Sequence, residues 1–318
     1  MSIPVRHRLS IRDSFAFRPS ASNASFSRAR LQRSVSYLLT AIALSSCGSS
    51  APPVAQSTAP SSVTTNAGIG QRGSARVLIS FSSLGKLPTK TANAIEATNT
   101  DLIFFGAHQA IPAGMQATPV AYFRSYTSLF RALSNNILGN RFRYVLLDLE
   151  DWSFTPLVEK ADPIKYYRLA YNLVKSHGLG FIAAPAYNLF NQPDSAPGVG
   201  PTLTISANLY GQLAKMADIV VVQSQGLELN PTRFTDFLNQ AVRQIKSSST
   251  TVIIFGGLSS NPPAGTPSTS ALVNLIHASM GIVSGYWVNL PSPGSACPKC
   301  QAFNPENAYS IATTLMSE

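Results

Sequence analysis

The residues best placed to do chemistry in this chain close one apolar run, Tyr144-Val145-Leu146-Leu147-Asp148-Leu149-Glu150-Asp151-Trp152. Three carboxylates ending a buried strand are costly to desolvate, and such clusters are where proton chemistry is found. Side chains two apart on a strand share a face, so Tyr144, Leu146, Asp148 and Glu150 point one way and Val145, Leu147, Leu149 and Asp151 the other. The second set, aliphatic as far as Leu149, suits a face packed under helices, which leaves Asp148 and Glu150 stacked opposite it, Asp148 deeper. Two stacked carboxylates repel when both are ionised, so one is expected to hold a raised pKa and be able to donate its proton. Glu150, nearer the rim, is the expected acid, Asp148 its partner, and Asp151 a contact to substrate.

Those acids need a frame, and the chain supplies one from residue 76 onward. Strand candidates are Val77 to Ser82, Leu102 to Gly106, Val120 to Arg124, Tyr144 to Glu150, Phe181 to Tyr187, Ile219 to Gln225, Val252 to Gly257 and Ile282 to Leu290. Between them run amphipathic segments, most clearly Pro163 to Ser176 with apolar residues at helical spacing and His177-Gly178 closing it. Others are Thr204 to Met216, Pro231 to Lys246, Ser270 to Ser279 and Pro305 to Met316. Strands alternating with helices imply parallel pairing through right-handed crossovers, and the eight units fit one α/β fold, a single (β/α)8 TIM barrel. Its second helix is expected to be missing, because Ala107 to Thr118, with Pro112 and Gly114, reads as a loop. A doubly wound sheet is the runner-up, but no glycine-rich phosphate turn follows the first strand.

In such a barrel the C-terminal strand ends form the functional rim and the strand starts serve stability. Asp101 and Asp218 precede strands and fall on the stability face; Glu96, Glu159, Asp162, Asp236 and Glu306 belong to helices or their caps. Asp148, Glu150, Asp151, Asp194 and Glu228 are left at the rim. Arg124 ends the neighbouring strand, and if it pairs with Asp148 it lowers that carboxylate's pKa and weakens proton sharing.

The first 75 residues read differently. Residues 1–46 hold seven arginines against one acid, Asp13, then an apolar run from Val35 to Leu44, the layout of a secretory signal too short to span a bilayer. Leu44-Ser45-Ser46-Cys47 resembles the lipobox of bacterial lipoproteins, which would make Cys47 the acylated first residue of an exported, membrane-anchored protein. Residues 47–75, mostly Ser, Ala, Pro, Thr and Gly, cannot bury enough surface to fold and read as a tether to the barrel domain, residues 76–318. The leader carries six of the ten net positive charges, and what remains shows no basic cluster, which excludes nucleic acid as a partner. Cys297-Pro298-Lys299-Cys300 in an oxidising compartment most simply forms a disulfide that pins a loop, with a redox pair or a zinc site as alternatives. The four histidines (His7, His108, His177 and His277) are scattered, so neither a metal centre nor a serine nucleophile with its base is expected, and no cofactor is implied.

A fourth barrel strand ending Asp-x-Glu resembles the tail of the Asp-x-x-Asp-x-Asp-x-Glu signature of glycoside hydrolase family 18, the chitinase-like barrels. That resemblance implies a general acid at Glu150 and, at Asp148, an aspartate that orients a substrate N-acetyl group acting as nucleophile. The earlier aspartates fall on Leu146 and Arg143, so half the signature is absent. The family's strand-8 tryptophan has a counterpart in Trp287 of Gly285-Tyr286-Trp287-Val288-Asn289, while its strand-6 tyrosine has none, since that strand ends Gln223-Ser224-Gln225. Phe-Ile-Ala-Ala-Pro-Ala and Gly-Tyr-Trp are also similar to stretches of uncharacterised bacterial lipoproteins, a likeness that brings no activity. Strand 7 carries no acid, which excludes a carboxylate nucleophile there; substrate assistance, or inversion with Asp194 or Glu228 activating water, stays open. Tyr187, Asn188, Gln223, Gln225, Asn261, Trp287 and Asn289 suit a sugar ligand, rings stacking and amides binding hydroxyls, and being neutral they fit an uncharged polymer better than a phosphate. Two functions follow as expectations: a monomeric hydrolase of polysaccharide or cell-wall glycan, or a barrel that binds such a glycan without cleaving it.

Overall fold

Runs of β-branched and aliphatic residues become strands that pair in chain order around a closed ring. The computed structural model describes residues 76–186, 189, 208–294, 297 and 300–317. Its strands are β1 (Arg76–Ser80), β2 (Leu102–Gly106), β3 (Thr118–Phe123), β4 (Tyr144–Leu149), β5 (Gly180–Pro185), β6 (Ile219–Val222), β7 (Ile253–Ser259) and β8 (Gly285–Asn289). Each is parallel to the next, and β8 returns to β1 with Trp287 opposite Leu78, which closes the (β/α)8 barrel. The helices are α1 (Phe81–Leu84), α2 (Thr89–Glu96), α3 (Tyr126–Ser134), α4 (Leu157–Ala161), α5 (Pro163–Ser176), α6 (Leu209–Ala214), α7 (Pro231–Ser248), α8 (Thr269–Ser279) and α9 (Pro305–Ser317). No helix stands between β2 and β3; Gly114, at φ 82°, turns the chain there instead.

Two apolar layers follow from strand parity. Leu78, Leu102, Leu146, Ile182, Val221 and Phe255 fill the barrel interior, while Val77, Ile103, Val145, Leu147, Val220 and Ile254 join the helices outside. Burying side chains of this size is worth about 1.5–3 kcal/mol each against leaving them exposed, which locks the register that aims the rim residues.

Polar residues fix both ends of the strands. At the N-terminal face Asp101 accepts from the Val77 N–H at 2.8 Å and Asp218 from the Phe181 N–H at 2.7 Å, each stapling one strand start to its neighbour. At the functional end the fully buried Glu159 of α4 accepts from the Tyr126 and Thr127 N–H groups at 2.6 and 2.9 Å. That carboxylate satisfies the free donors that begin α3, and it ties the loop after β4 to the loop after β3.

Candidate active site

Parity along β4 is what places the acids: Leu146 lies in the barrel interior and Val145, Leu147 and Leu149 pack under the helices. Asp148 and Glu150 both line a cleft of about 750 Å³ at the C-terminal ends of the strands. Asp148 is the deeper of the two, 1% exposed. Tyr122 donates its hydroxyl to Asp148 Oδ2 at 2.7 Å, and Gln223 donates Nε2 to Asp148 Oδ1 at 2.7 Å and to the Ala184 carbonyl at 2.8 Å. Asp148 pairs across the ladder with Ala184, whose methyl group leaves the path over β5 that the Gln223 side chain follows. Glu150 completes the group by sharing a hydrogen bond with Asp148.

The two acids titrate as one unit. Burial, and then the charge of Asp148 beneath it, push the Glu150 carboxyl up to about 9. Burial also raises Asp148, to about 6, against the hydrogen bonds from Tyr122, Gln223 and Glu150 that favour its ionised form. Near neutral pH the pair therefore holds one proton, on Glu150 at the mouth, with the charge on Asp148 below. Arg124 makes no ion pair with Asp148 among the described residues; its guanidinium lies 3.6 Å from the centre of the Phe154 ring, and its charge lowers Asp148 only as the last of the causes. Proton sharing is thus kept.

An aromatic row leads away from the acids. Tyr122 packs on Phe104 with centroids 5.0 Å apart, and Phe104 meets Trp287 edge-on at 5.6 Å. All three line the cleft. Trp287, 6% exposed, serves at once as the cap of the interior core and as part of the cleft wall. Gln225 and Asn289 also line it, and Gln225 Oε1 is buried without a hydrogen-bond partner, as is Ser259 Oγ. Gly257 makes room for Gln225, since a Cβ at that position would sit 2.1 Å from Oε1.

Several expected site residues are placed otherwise. Asp151 is exposed on the rim and pairs with Lys160 at 2.9 Å, outside the cleft. Asn261 is fully buried, where its amide donates to the carbonyls of Pro291, Gln301 and Ala302, so it holds loops together. Glu228 does not line the cleft either; its carboxylate accepts from the Gly226 N–H at 2.6 Å and the Ser259 N–H at 2.7 Å, bracing the turn after β6 against β7. Cys297 and Cys300 form a disulfide, with Cα atoms 5.3 Å apart, at the edge of the cleft. Tyr187, Asn188, Asp194 and Cys47 lie outside the described residues. Tyr122 and Phe104 were missed by the sequence reading, although parity along β2 and β3 carries the signal: Tyr122 shares a strand face with Arg124.

No protein-family model and no curated protein matches the chain. Among solved structures it is similar to a GH128 curdlan-specific exo-β-1,3-glucanase from Blastomyces gilchristii, with TM-score 0.46 and 12% identity over 77% of this chain and 98% of that one. A class V chitinase from Pseudomonas fluorescens gives 0.46 and 10% over 76% and 99%. A chitinase from Chromobacterium violaceum gives 0.44 and 13% over 77% and 99%. A 3-keto-L-gulonate-6-phosphate decarboxylase from Vibrio cholerae also matches, at 0.39 and 9%. Likeness at this level is one of barrel architecture and brings no activity with it.

Proposed function

We propose that the protein is a glycoside hydrolase acting on extracellular polysaccharide, with Glu150 as its general acid. The observation that carries the reading is the placement of Glu150 beside the buried Asp148 at the mouth of a cleft walled by Trp287, where burial raises both carboxyls. Glu150 gives that proton to the glycosidic oxygen as the bond from the anomeric carbon to that oxygen breaks, and the leaving sugar departs as a neutral alcohol. β7 carries no acid and Glu228 is engaged elsewhere; with Asp194 outside the described residues, the substrate itself is the source we favour for the electron pair to the anomeric carbon. An acetamido oxygen oriented by ionised Asp148 fits, as the resemblance to family 18 implies. Water then attacks the anomeric carbon as its bond to the acetamido oxygen breaks, yielding a proton to Glu150 and restoring the pair. Trp287 offers a ring face, while Gln225 and Asn289 offer amides to hydroxyls. Acylation of Cys47 and a tether through residue 75 would hold a monomeric barrel at the outer side of the bacterial membrane.

A second reading rests on its own observation: both oxygens of Asp148 are already engaged, and Leu146 and Arg143 stand where the family-18 signature has aspartates. On that reading the cleft binds glycan without cleaving it. Reducing-end release from chitin, peptidoglycan, α-glucan and β-glucan by the protein and by Glu150→Gln separates the two. Cleavage lost in the variant supports the hydrolase; equal retention of both proteins on one polymer, with no cleavage, makes this a binding protein.

A further inference from the structure

The loop after the acids is folded around a cation. Arg124 Cζ lies 3.6 Å from the Phe154 ring centre and 5.9 Å from that of Trp152, while Thr155 Oγ1 donates to the Arg124 carbonyl at 2.9 Å and accepts from Trp152 Nε1 at 2.9 Å. Three residues of one loop thus hold the arginine in place. Arg124 lines the cleft, yet its guanidinium makes no hydrogen bond or ion pair among the described residues, where its five N–H donors find no acceptor. The other cation at the cleft among the described residues, Lys86, is occupied: it donates to the Leu290 carbonyl at 2.7 Å and to Ser292 Oγ at 2.9 Å. Against these two positive charges the cleft lining sets, among the described residues, Asp148 and Glu150, which hold a proton between them.

We propose that Arg124 is the receptor for a carboxylate on the bound sugar, so that the glycan is an acidic one. The inference rests on the glycan reading above and narrows it, replacing the uncharged polymer expected from the amides alone. A planar guanidinium held by stacking presents two parallel donors to a carboxylate with little ordering left to lose on binding. It would also screen that carboxylate from Asp148, which otherwise repels an anionic sugar.

The test is calorimetric binding of two ligands of equal length: chitin oligosaccharides, and peptidoglycan glycan strands stripped of peptide, which share the backbone and add a lactyl carboxylate on alternate sugars. The acidic strands are expected to bind about tenfold or more tightly than chitin oligosaccharides, an advantage that shrinks in high salt. Arg124→Gln abolishes the advantage and Arg124→Lys keeps part of it, while Arg131→Gln, an exposed arginine on α3, leaves it unchanged. Equal binding of the two ligands by the native protein, which needs no variant to fold, overturns the assignment and leaves the glycan reading standing. An advantage that survives Arg124→Gln overturns it as well. Binding of neither ligand counts against the acidic glycan and the glycan reading together.

Discussion

Replacing Glu150 by Gln removes one titrating proton from the folded state, and the burial of that carboxyl sets the direction and rough size of the effect on stability. In the unfolded chain a glutamate has released its proton by about pH 5. In the folded protein burial and the charge of Asp148 keep the Glu150 proton to about pH 9. Between those values the native state binds one more proton than the unfolded state, so stability falls as pH rises, by about 1.4 kcal/mol per pH unit. From pH 6.5 to 8.5 the Glu150 contribution to unfolding free energy therefore drops by roughly 3 kcal/mol. Glu228, which burial raises to about 7, adds a slope of the same sign, but in both proteins, so it cancels in the difference. The isosteric Glu150→Gln keeps the volume and loses the titration. Urea unfolding followed by the fluorescence of Trp152 and Trp287 at several pH values measures both slopes. The variant should lose less stability than the native protein across this window, by about one proton's worth. Parallel curves would refute the shared proton, and with it the assignment of Glu150 as an acid held ready at neutral pH.

On any polymer the protein cleaves, the rate is expected to rise through about pH 6 as Asp148 ionises and to fall through about pH 9 as Glu150 loses its proton, which a pH–rate profile reads directly. Tyr122→Phe deletes the 2.7 Å hydrogen bond to Asp148, so unfolding at neutral pH should cost about 1.5–3 kcal/mol less and the acidic limb of that profile should move to higher pH. Gly257→Ala places a methyl group where Gln225 now lies; glycan affinity measured by calorimetry should fall about tenfold while the melting temperature changes little, because the displaced atoms are the end of a flexible side chain.

What the sequence carried was local. The β-branched runs gave all eight strands, Pro112 and Gly114 marked the helix-free second connection, and the alternation in Tyr144 to Asp151 aimed Asp148 and Glu150 at the mouth. Long-range placement was out of reach. Nothing near Tyr122 in the chain says that its hydroxyl meets Asp148, because that contact depends on the stagger of β3 against β4. The bridge from Gln223 likewise needs Ala184 to be small on the strand between. Asn261 and Glu228 had the right types at the right strand ends, and both were drawn instead into satisfying buried backbone groups, Asn261 donating to carbonyls and Glu228 accepting from N–H groups. Position at a strand end told less than the backbone atoms each side chain found there.

Whether Glu150 acts on a glycosidic oxygen in this cleft is decided by a crystal structure of Glu150→Gln with an oligosaccharide of the best-bound polymer. A glycosidic oxygen is expected within about 3 Å of the side chain at position 150, with a sugar ring against Trp287. A sugar chain seated outside the cleft, or one lying in it with every glycosidic oxygen beyond reach of that side chain, would contradict that role for Glu150.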